Sequence, residues 1–550
     1  MPTKRTLVLF MMLICGLALS AQRRMVAEWE PAYGTLIRWP LGIPGELVAE
    51  LALHDSLYVL VENPGQQAQA TATFQAYGVN MNHCRFVEAD TYSHWTRDWG
   101  PHYVFDENGH AGIADPLFDG YPWVPGCNGN KAAASPGSIL GYEEDDAVNA
   151  ALADVFNLPL IEFPAYLTGG NIMTDGQGLA YSTQQMLDES EAFCNQTCFM
   201  ANASGLLGLT GYFIASNPEV YGIQHIDCYA KLLDEETVLV KKVPAGHPEY
   251  ECVEDLANFF RDQTTCYGRS YAVHRIFCPV ITDDEVPAYT NSLILNHKVL
   301  VPLFGIPEDE QALQTYRDLM PGYQVLGFTG SWYYYDDLHC RTMGIFDSEM
   351  LYLRHKTPKL AAAGVSHRLT VRATDYSKAG LVSDSLFLYW KPEGLFPWNR
   401  EPLQSLPGTD SLFAWVPGFA DGAVIRYYFS VADSSGRQEK LPRTAPAKHF
   451  LLEFTDLLTG VPEQETSNEL LIYPQPFGSQ LSIRYTPRQE GMVTARLLDV
   501  SGRTLIETRK PANGKVPLEF GWETAGLGKG CYFLRVSSGN HILSRKVVKQ

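Results

Sequence analysis

The strongest constraint on this chain is a unit that recurs between His102 and Leu353: a β-hairpin, an amphipathic or Ala-rich helix, then a short apolar strand. Hairpins are predicted over His102 to Pro116, turning at Glu107-Asn108-Gly109, and over Asn171 to Ser182, turning at Asp175-Gly176. A third runs from Tyr229 to Val243 through Leu233-Asp234-Glu235, a fourth from Ser292 to Leu303 through Asn296-His297, and a weaker fifth from Thr342 to Leu353 through Asp347-Ser348. Helices follow the third and fourth, about 250–261 and 308–319; the former keeps Leu256, Phe259 and Phe260 on one face. Strands alternating with helices in this way define an α/β class.

The chemically able side chains stand at the entrances to these hairpins. Asp98 precedes the first, Asn171 opens the second, His225 and Asp227 enter the third, Asn291 the fourth and Cys340 the fifth. Similar units rotated about one axis bring corresponding ends together, so a ring of five makes a funnel with this cluster at its bottom.

A cysteine with a histidine suggests a thiolate nucleophile and an acid/base partner. Two further carboxylates suit a guanidinium, whose planar donors pair bidentately with them. Held by Asp98 and Asp227, such a cation presents its central carbon to Cys340, and His225 serves the departing nitrogen and the incoming water. Each residue also has an ordinary reading. Cys340 can be an inert buried thiol, although its charged neighbours should keep it partly exposed; His225 can be a satisfied core histidine and Asp227 a turn acceptor. Asp98 can pair with Arg97, Asn291 can be a strand-edge residue, and Asn171, after Gly169-Gly170, reads as structural. The dense aromatics of Trp95-Thr96-Arg97-Asp98-Trp99-Gly100-Pro101 favour a shaped pocket.

The balance of 42 Lys plus Arg against 62 Asp plus Glu, a net charge of -20, excludes nucleic acid and anionic membrane as expected partners and is compatible with cationic substrates. Lys4 and Arg5, the apolar run Leu7 to Leu19 and the small-residue site at Ser20 read as an export signal over residues 1–21. Ile14 is too bulky for a lipoprotein box at Cys15, and no later stretch is apolar and long enough for a helical transmembrane segment. Export permits some of the 11 cysteines to pair, but sequence does not say which, and Cys194 with Cys198 lacks further ligands for zinc.

At these residues the chain resembles the guanidine-modifying, or pentein, superfamily. Trp95 to Pro101 is similar to the W-x-R-D-x-G-P motif of agmatine deiminases, and His225-Ile226-Asp227 to their H-V-D motif. Together with Tyr289 to Leu295 and Leu338-His339-Cys340-Arg341-Thr342, they resemble most closely the Porphyromonas-type bacterial peptidylarginine deiminases. The resemblance implies a five-bladed pentein α/β propeller over residues 22–357. It also implies Cys340 as nucleophile, His225 as general acid/base, Asp98 and Asp227 as guanidinium clamp, Asn291 as orienting residue and Trp95 as pocket wall, with no metal and no cofactor. Two departures stand out. The stretch Phe118 to Trp123 has none of the arginines that grip a C-terminal carboxylate in that family, and Gln224 replaces a glycine usual in agmatine deiminases.

From 358 to 455 short alternating runs such as 369–373 and 425–431 read as an antiparallel, immunoglobulin-like β-sandwich. A polar linker over 456–469 precedes a small C-terminal β-domain, 470–550, which resembles the sorting domain of type IX secretion cargo and implies that machinery as a partner. The whole reads as a secreted or surface peptidylarginine deiminase acting on arginine-containing peptides or proteins. The alternatives are a deiminase of agmatine or another free guanidine, and a surface adhesin that only binds arginine.

Overall fold

The computed structural model describes residues 23–121, 125–127, 142–220, 222–282, 284–394, 397–456, 470–473, 477–487, 490–499, 504–513, 516–538 and 541–549. The export signal, residues 457–469 of the linker, and Pro122 and Trp123 lie outside the described residues. The chain divides into two compact units, Met1–Phe454 and Thr455–Gln550.

Four of the five predicted hairpins form, and each is extended by a parallel strand brought back by helices. His102–Phe105 and Ala111–Leu117 pair antiparallel, and Leu160–Tyr166 adds in parallel. Met173–Thr174 and Leu179–Thr183 are joined by Gly211–Ala215. Ala230–Asp234 and Thr237–Lys242 are joined by Ala272–Phe277, and Leu293–Leu295 and Lys298–Leu303 by Gln324–Thr329. Parallel pairing demands a crossover connection, and this is why a helix stands between the second and third strand of each module. Two of those crossovers, Tyr250–Asp262 and Asp309–Leu319, fall where the apolar spacing puts them; Val253, Leu256, Ala257 and Phe260 of the first are buried, while Phe259 sits half-buried at the edge of the face.

The fifth hairpin does not form. Met343–Phe346 pairs antiparallel with the N-terminal strand Ala32–Arg38, which is followed in parallel by Ser56–Val61 and Cys84–Glu88. Leu351–Arg354 turns away and pairs with His367–Asp375 of the following β-region. The module is the same as in the other four sheets, but its hairpin partner comes from the opposite end of the sequence. A local alternation shows that two segments are extended; it does not show which partner each takes. An early strand and a late strand of this region are thereby stitched into one sheet, so the segment just after Cys340 is anchored on Ala32–Arg38.

The β-region that follows has two antiparallel sheets. Leu351–Arg354, His367–Asp375, Ser411–Val416 and Gln404–Ser405 make one; Leu360–Ala362, Phe450–Thr455, Val424–Ala432, Phe387–Pro392 and Asn399–Pro402 make the other, with Gln438–Leu441 also on Val424–Ala432. Their inner faces share a core that includes Leu369, Val371, Leu388, Ile425, Tyr427, Phe429 and Leu452. Arg437 reaches Asp347 through Nε and Nη2 at 2.6 and 2.8 Å, and Lys448 reaches Asp234 at 2.6 Å, so charged pairs tie this region to the modules.

The second unit is a small two-sheet β structure around Phe477, Leu481, Ile483, Tyr485, Val493, Leu497, Leu534 and Val547. Among the described residues, Cys127 is bonded to Cys252 and Cys194 to Cys198, and no helix is long and apolar enough to cross a membrane.

Candidate active site

Asp98, His225, Asp227, Asn291 and Cys340 are brought together from the entrances of four modules, the third of which supplies the pair His225 and Asp227. All five are at most 1% exposed. Gly170, from the entrance to the second module, marks the point where three of them meet: a Cβ placed there would stand 2.6 Å from Asp98 Oδ1, 2.7 Å from His225 Nδ1 and 3.2 Å from Asp227 Oδ2. The neighbouring Gly169 has the same constraint, with a Cβ falling 2.0 Å from the Arg97 carbonyl oxygen. The paired glycines therefore keep the centre of the site open. Gly170→Ala is expected to lower kcat/KM by roughly 100-fold or more, because it displaces three convergent polar groups at once. Steady-state turnover by the purified variant checks this, and a variant as active as the parent would contradict it.

Each carboxylate is held by a different means. Asp98 lies in the short helix Thr96–Trp99; its Oδ1 accepts from the Gly170 amide at 3.1 Å and its Oδ2 from the Tyr121 hydroxyl at 2.5 Å. It does not pair with Arg97, whose Nε and Nη2 find no partner among the described residues. Asp227 Oδ2 is 2.7 Å from His339 Nδ1, and His339 Nε2 is 2.8 Å from Glu28, which Lys231 also meets at 2.7 Å. Asp227 Oδ1 is buried without a hydrogen-bond partner. Burial, and then the nearby Asp227, pushes the Asp98 carboxyl well above the usual carboxylate range. Burial raises Asp227 too, but the bond to His339 and the charges of His339, His225 and Lys231 bring it below its ordinary value. One carboxyl of the pair is thus held toward its ionised form and the other toward its neutral form.

Cys340 is oriented by Asn291, which lies ahead of the strand Leu293–Leu295. Its Oδ1 accepts from the amides of His339 and Cys340 at 2.8 and 3.2 Å, and its Nδ2 points at Cys340 Sγ at 3.2 Å. The expectation that charged neighbours keep Cys340 partly exposed fails. Asp337, His339 and Arg341 are themselves buried, since Arg341 forms a fork to Asp336 at 2.9 and 2.8 Å and His339 lies between Asp227 and Glu28. The Cys228 thiol favours ionisation of Cys340, but burial with Asp227, Asp98 and Asp336 outweighs it, and the thiol is pushed up to about 12. Burial brings the His225 imidazole down to about 4, and neither of its ring nitrogens has a hydrogen-bond partner among the described residues. A histidine serving only the core would have one. At neutral pH the resting site therefore holds a neutral thiol and a neutral imidazole.

Trp95 is half-buried and meets Tyr121 edge-on, ring centroids 5.2 Å apart, while Tyr121 approaches His225 at 5.9 Å. Tyr121, Gly170, Cys228 and His339 are given no part in the chemistry by the sequence reading. His339 is adjacent to Cys340 and Cys228 to Asp227, so proximity to a motif was the available signal. Tyr121 stands in the segment noted for its lack of arginine, and its hydroxyl occupies an oxygen of Asp98 that a guanidinium would need. Asn171 is used for structure: its Oδ1 accepts from Thr183 and from Ile226, joining the second and third modules.

A family model described as Porphyromonas-type peptidyl-arginine deiminase matches residues 24–345, and one described as a secretion system C-terminal sorting domain matches residues 471–550. A Streptomyces coelicolor protein named as a candidate agmatine deiminase is 27% identical over 326 residues, 54% of this chain and 91% of its own length. One of that name from Yersinia pseudotuberculosis is 26% identical over 345 residues, 55% and 89% of the two chains. The fold is that of the crystal structure of a candidate peptidyl-arginine deiminase (TM-score 0.51, 21% identity, 60% of this chain and 99% of that one). The Enterococcus faecalis agmatine deiminase has it too (TM-score 0.51, 19% identity, 60% and 96%).

Fold and family together define a guanidine-modifying deiminase, a hydrolase of carbon–nitrogen bonds. The chain belongs to the Porphyromonas-type peptidyl-arginine deiminase family, and its C-terminal type IX sorting domain indicates export to the exterior or the cell surface.

Proposed function

We propose that this protein converts arginine residues of peptides or proteins to citrulline, with Cys340 as nucleophile, His225 as acid/base, Asp98 and Asp227 as the guanidinium clamp, Asn291 orienting the sulfur and Trp95 walling the pocket. The observation that carries this reading is that two carboxylates and an imidazole meet at the open side of Gly170, while the Cys340 sulfur lies within 4.8 Å of a carboxylate oxygen of one of them, Asp227. The cation displaces the Tyr121 hydroxyl from Asp98, ionises that carboxyl and lies flat between the two acids. Cys340 then attacks the guanidinium carbon and His225 takes the thiol proton. That proton passes to the departing nitrogen, which leaves as ammonia and a thiouronium remains on sulfur. His225 deprotonates water, which adds to the same carbon; the carbon–sulfur bond breaks, citrulline leaves and the thiol is restored.

On this reading the five sheets are blades around a common axis and residues 22–357 are the catalytic domain. Residues 358–455, of immunoglobulin-like type, support it, and 456–469 link it to the sorting domain, 470–550. The export signal is 1–21, and no metal takes part in the reaction. The guanidinium-directed chemistry of the family weighs against an arginine-binding adhesin. A deiminase of free agmatine is the second reading, favoured by the names of the two curated relatives. Gln224 has φ +61°, a left-handed conformation that a glycine there would take more easily, and its side chain is bonded to Glu219 instead of facing the clamp. Among its described residues the Phe118 segment offers Asp119 and no cation, so a C-terminal carboxylate finds no positive partner there.

Citrulline formation from blocked internal arginine, C-terminal arginine, free arginine and agmatine tests the reading. Internal arginine is expected to be the best substrate, with no preference for the C-terminal position. Turnover of agmatine alone would establish the second reading, and no ammonia from any of them would overturn both. The resting thiol gives a further expectation. Alkylation of Cys340 by iodoacetamide, measured against the Cys340→Ala background, should be slow at neutral pH and rise about tenfold per pH unit toward the thiol's raised value. Fast, pH-independent reaction near neutrality would contradict it.

A further inference from the structure

A second thiol stands beside the nucleophile, and the reaction proposed above has no use for it. Cys228 ends the short turn Ile226–Cys228, is fully buried, and shares Asn291 Nδ2 with Cys340, at 3.5 Å against 3.2 Å. The two sulfurs and a carboxylate oxygen of Asp227 all lie within 4.8 Å of one another. Among the described residues this is the only group of three such ligands so spaced. A tetrahedral site with metal–sulfur bonds of about 2.3 Å and metal–oxygen bonds of about 2.1 Å separates its ligand atoms by roughly 3.5 to 4 Å, so a small settling closes it.

Asp227 is also prepared as a ligand. Its Oδ2 is fixed 2.7 Å from His339, the kind of outer contact that orients a ligating group, and its Oδ1 is buried with no hydrogen-bond partner. The donor set of two soft sulfurs and one oxygen selects zinc and its neighbours over calcium or magnesium, which want oxygen alone.

We propose that Cys228, Cys340 and Asp227 form a binding site for a soft divalent metal of the zinc type, whose occupation reversibly closes the enzyme. As each sulfur–metal bond forms, its thiol releases a proton to solvent; no oxidant is needed. The metal then ties up the nucleophilic sulfur and fills the slot meant for the substrate's positive charge, so metal and guanidinium exclude each other. The inference goes beyond the function proposed above, because its main readout is metal binding and does not depend on which guanidine is turned over.

Cobalt(II) added to the chelator-treated full chain is the probe. A thiolate-to-cobalt charge-transfer band with the intensity of two sulfurs is expected, together with the visible bands of tetrahedral cobalt. Cys228→Ser should cut the band to the intensity of one sulfur and weaken zinc binding by roughly 100-fold or more. Cys266→Ser, at a free cysteine elsewhere, should change neither. In the unmodified protein zinc should inhibit competitively with the guanidine substrate, and chelator should restore the rate. Prior alkylation of Cys340 should cut the band to the intensity of one sulfur or less, which keeps the test decisive should Cys228→Ser fold poorly. Absence of a thiolate band, its persistence at full intensity after alkylation, or unchanged zinc affinity in a folded Cys228→Ser protein would overturn the proposal.

Discussion

Replacing Cys340 by Ala is expected to lower turnover by on the order of 10⁴-fold or more while leaving an arginine ligand bound. On the proposed function the two properties separate, because the sulfur would make the covalent bond whereas Asp98 and Asp227, which meet at Gly170, would supply the charge that holds the cation. Removing a buried thiol that is neutral in the resting site takes away no ion-pair partner. Affinity for a blocked arginine amide, measured by calorimetry, should therefore fall little. Acid-quenched turnover of the parent protein should show, by mass spectrometry, substrate attached through sulfur to the peptide containing Cys340. Undiminished ammonia release in the variant would remove Cys340 as nucleophile.

The second large effect is expected at the carboxylates, and the two should differ. Asp227→Asn removes the charge that is present before substrate binds and leaves His339 facing an amide. Losing one partner of a buried charged pair costs about 2–5 kcal/mol, so kcat/KM should fall by roughly 30- to 5,000-fold. Stability should fall as well, by about 1–3 kcal/mol, because a buried charged hydrogen bond loses its acceptor. Asp98→Asn should cost similarly in kcat/KM, since the clamp loses half of its fork. It should leave stability nearly unchanged, because an amide there replaces a carboxyl that burial and Asp227 already hold toward its neutral form. Steady-state kinetics and thermal unfolding of both variants check the contrast. Normal substrate affinity in both would reject the clamp, and a strongly destabilised Asp98→Asn protein would reject the assignment of which carboxylate is ionised.

Much of this site was legible because it obeys a local rule repeated along the chain. A hairpin announces itself by alternation and a turn, and the residue just ahead of it is fixed in space by that hairpin. Asp98, His225, Asp227 and Asn291 could be picked out on that ground, whereas the hairpin expected after Cys340 does not form and Met343–Phe346 takes a distant partner. What sequence did not give was closure: Met343–Phe346 pairs with Ala32–Arg38, more than three hundred residues away, and nothing near either strand encodes the partnership. Burial of the Cys340 loop was missed for a similar reason. Charged residues look exposed in a sequence, and only the fold shows that Asp336 answers Arg341 and that Asp227 and Glu28 answer His339. Gly170 reads as a backbone-relieving glycine in sequence; the structure adds that it is the side chain's absence, at the point where three functional groups meet, that matters.

The most direct measurement is the crystal structure of the Cys340→Ala protein with a blocked arginine amide. The account predicts the guanidinium lying between Asp98 and Asp227, its nitrogens about 2.7–2.9 Å from both carboxylates, with Tyr121 swung off Asp98 and the central carbon facing the position vacated by sulfur. A guanidinium bound elsewhere, or held by one of the two acids alone with its carbon turned from residue 340, would contradict it.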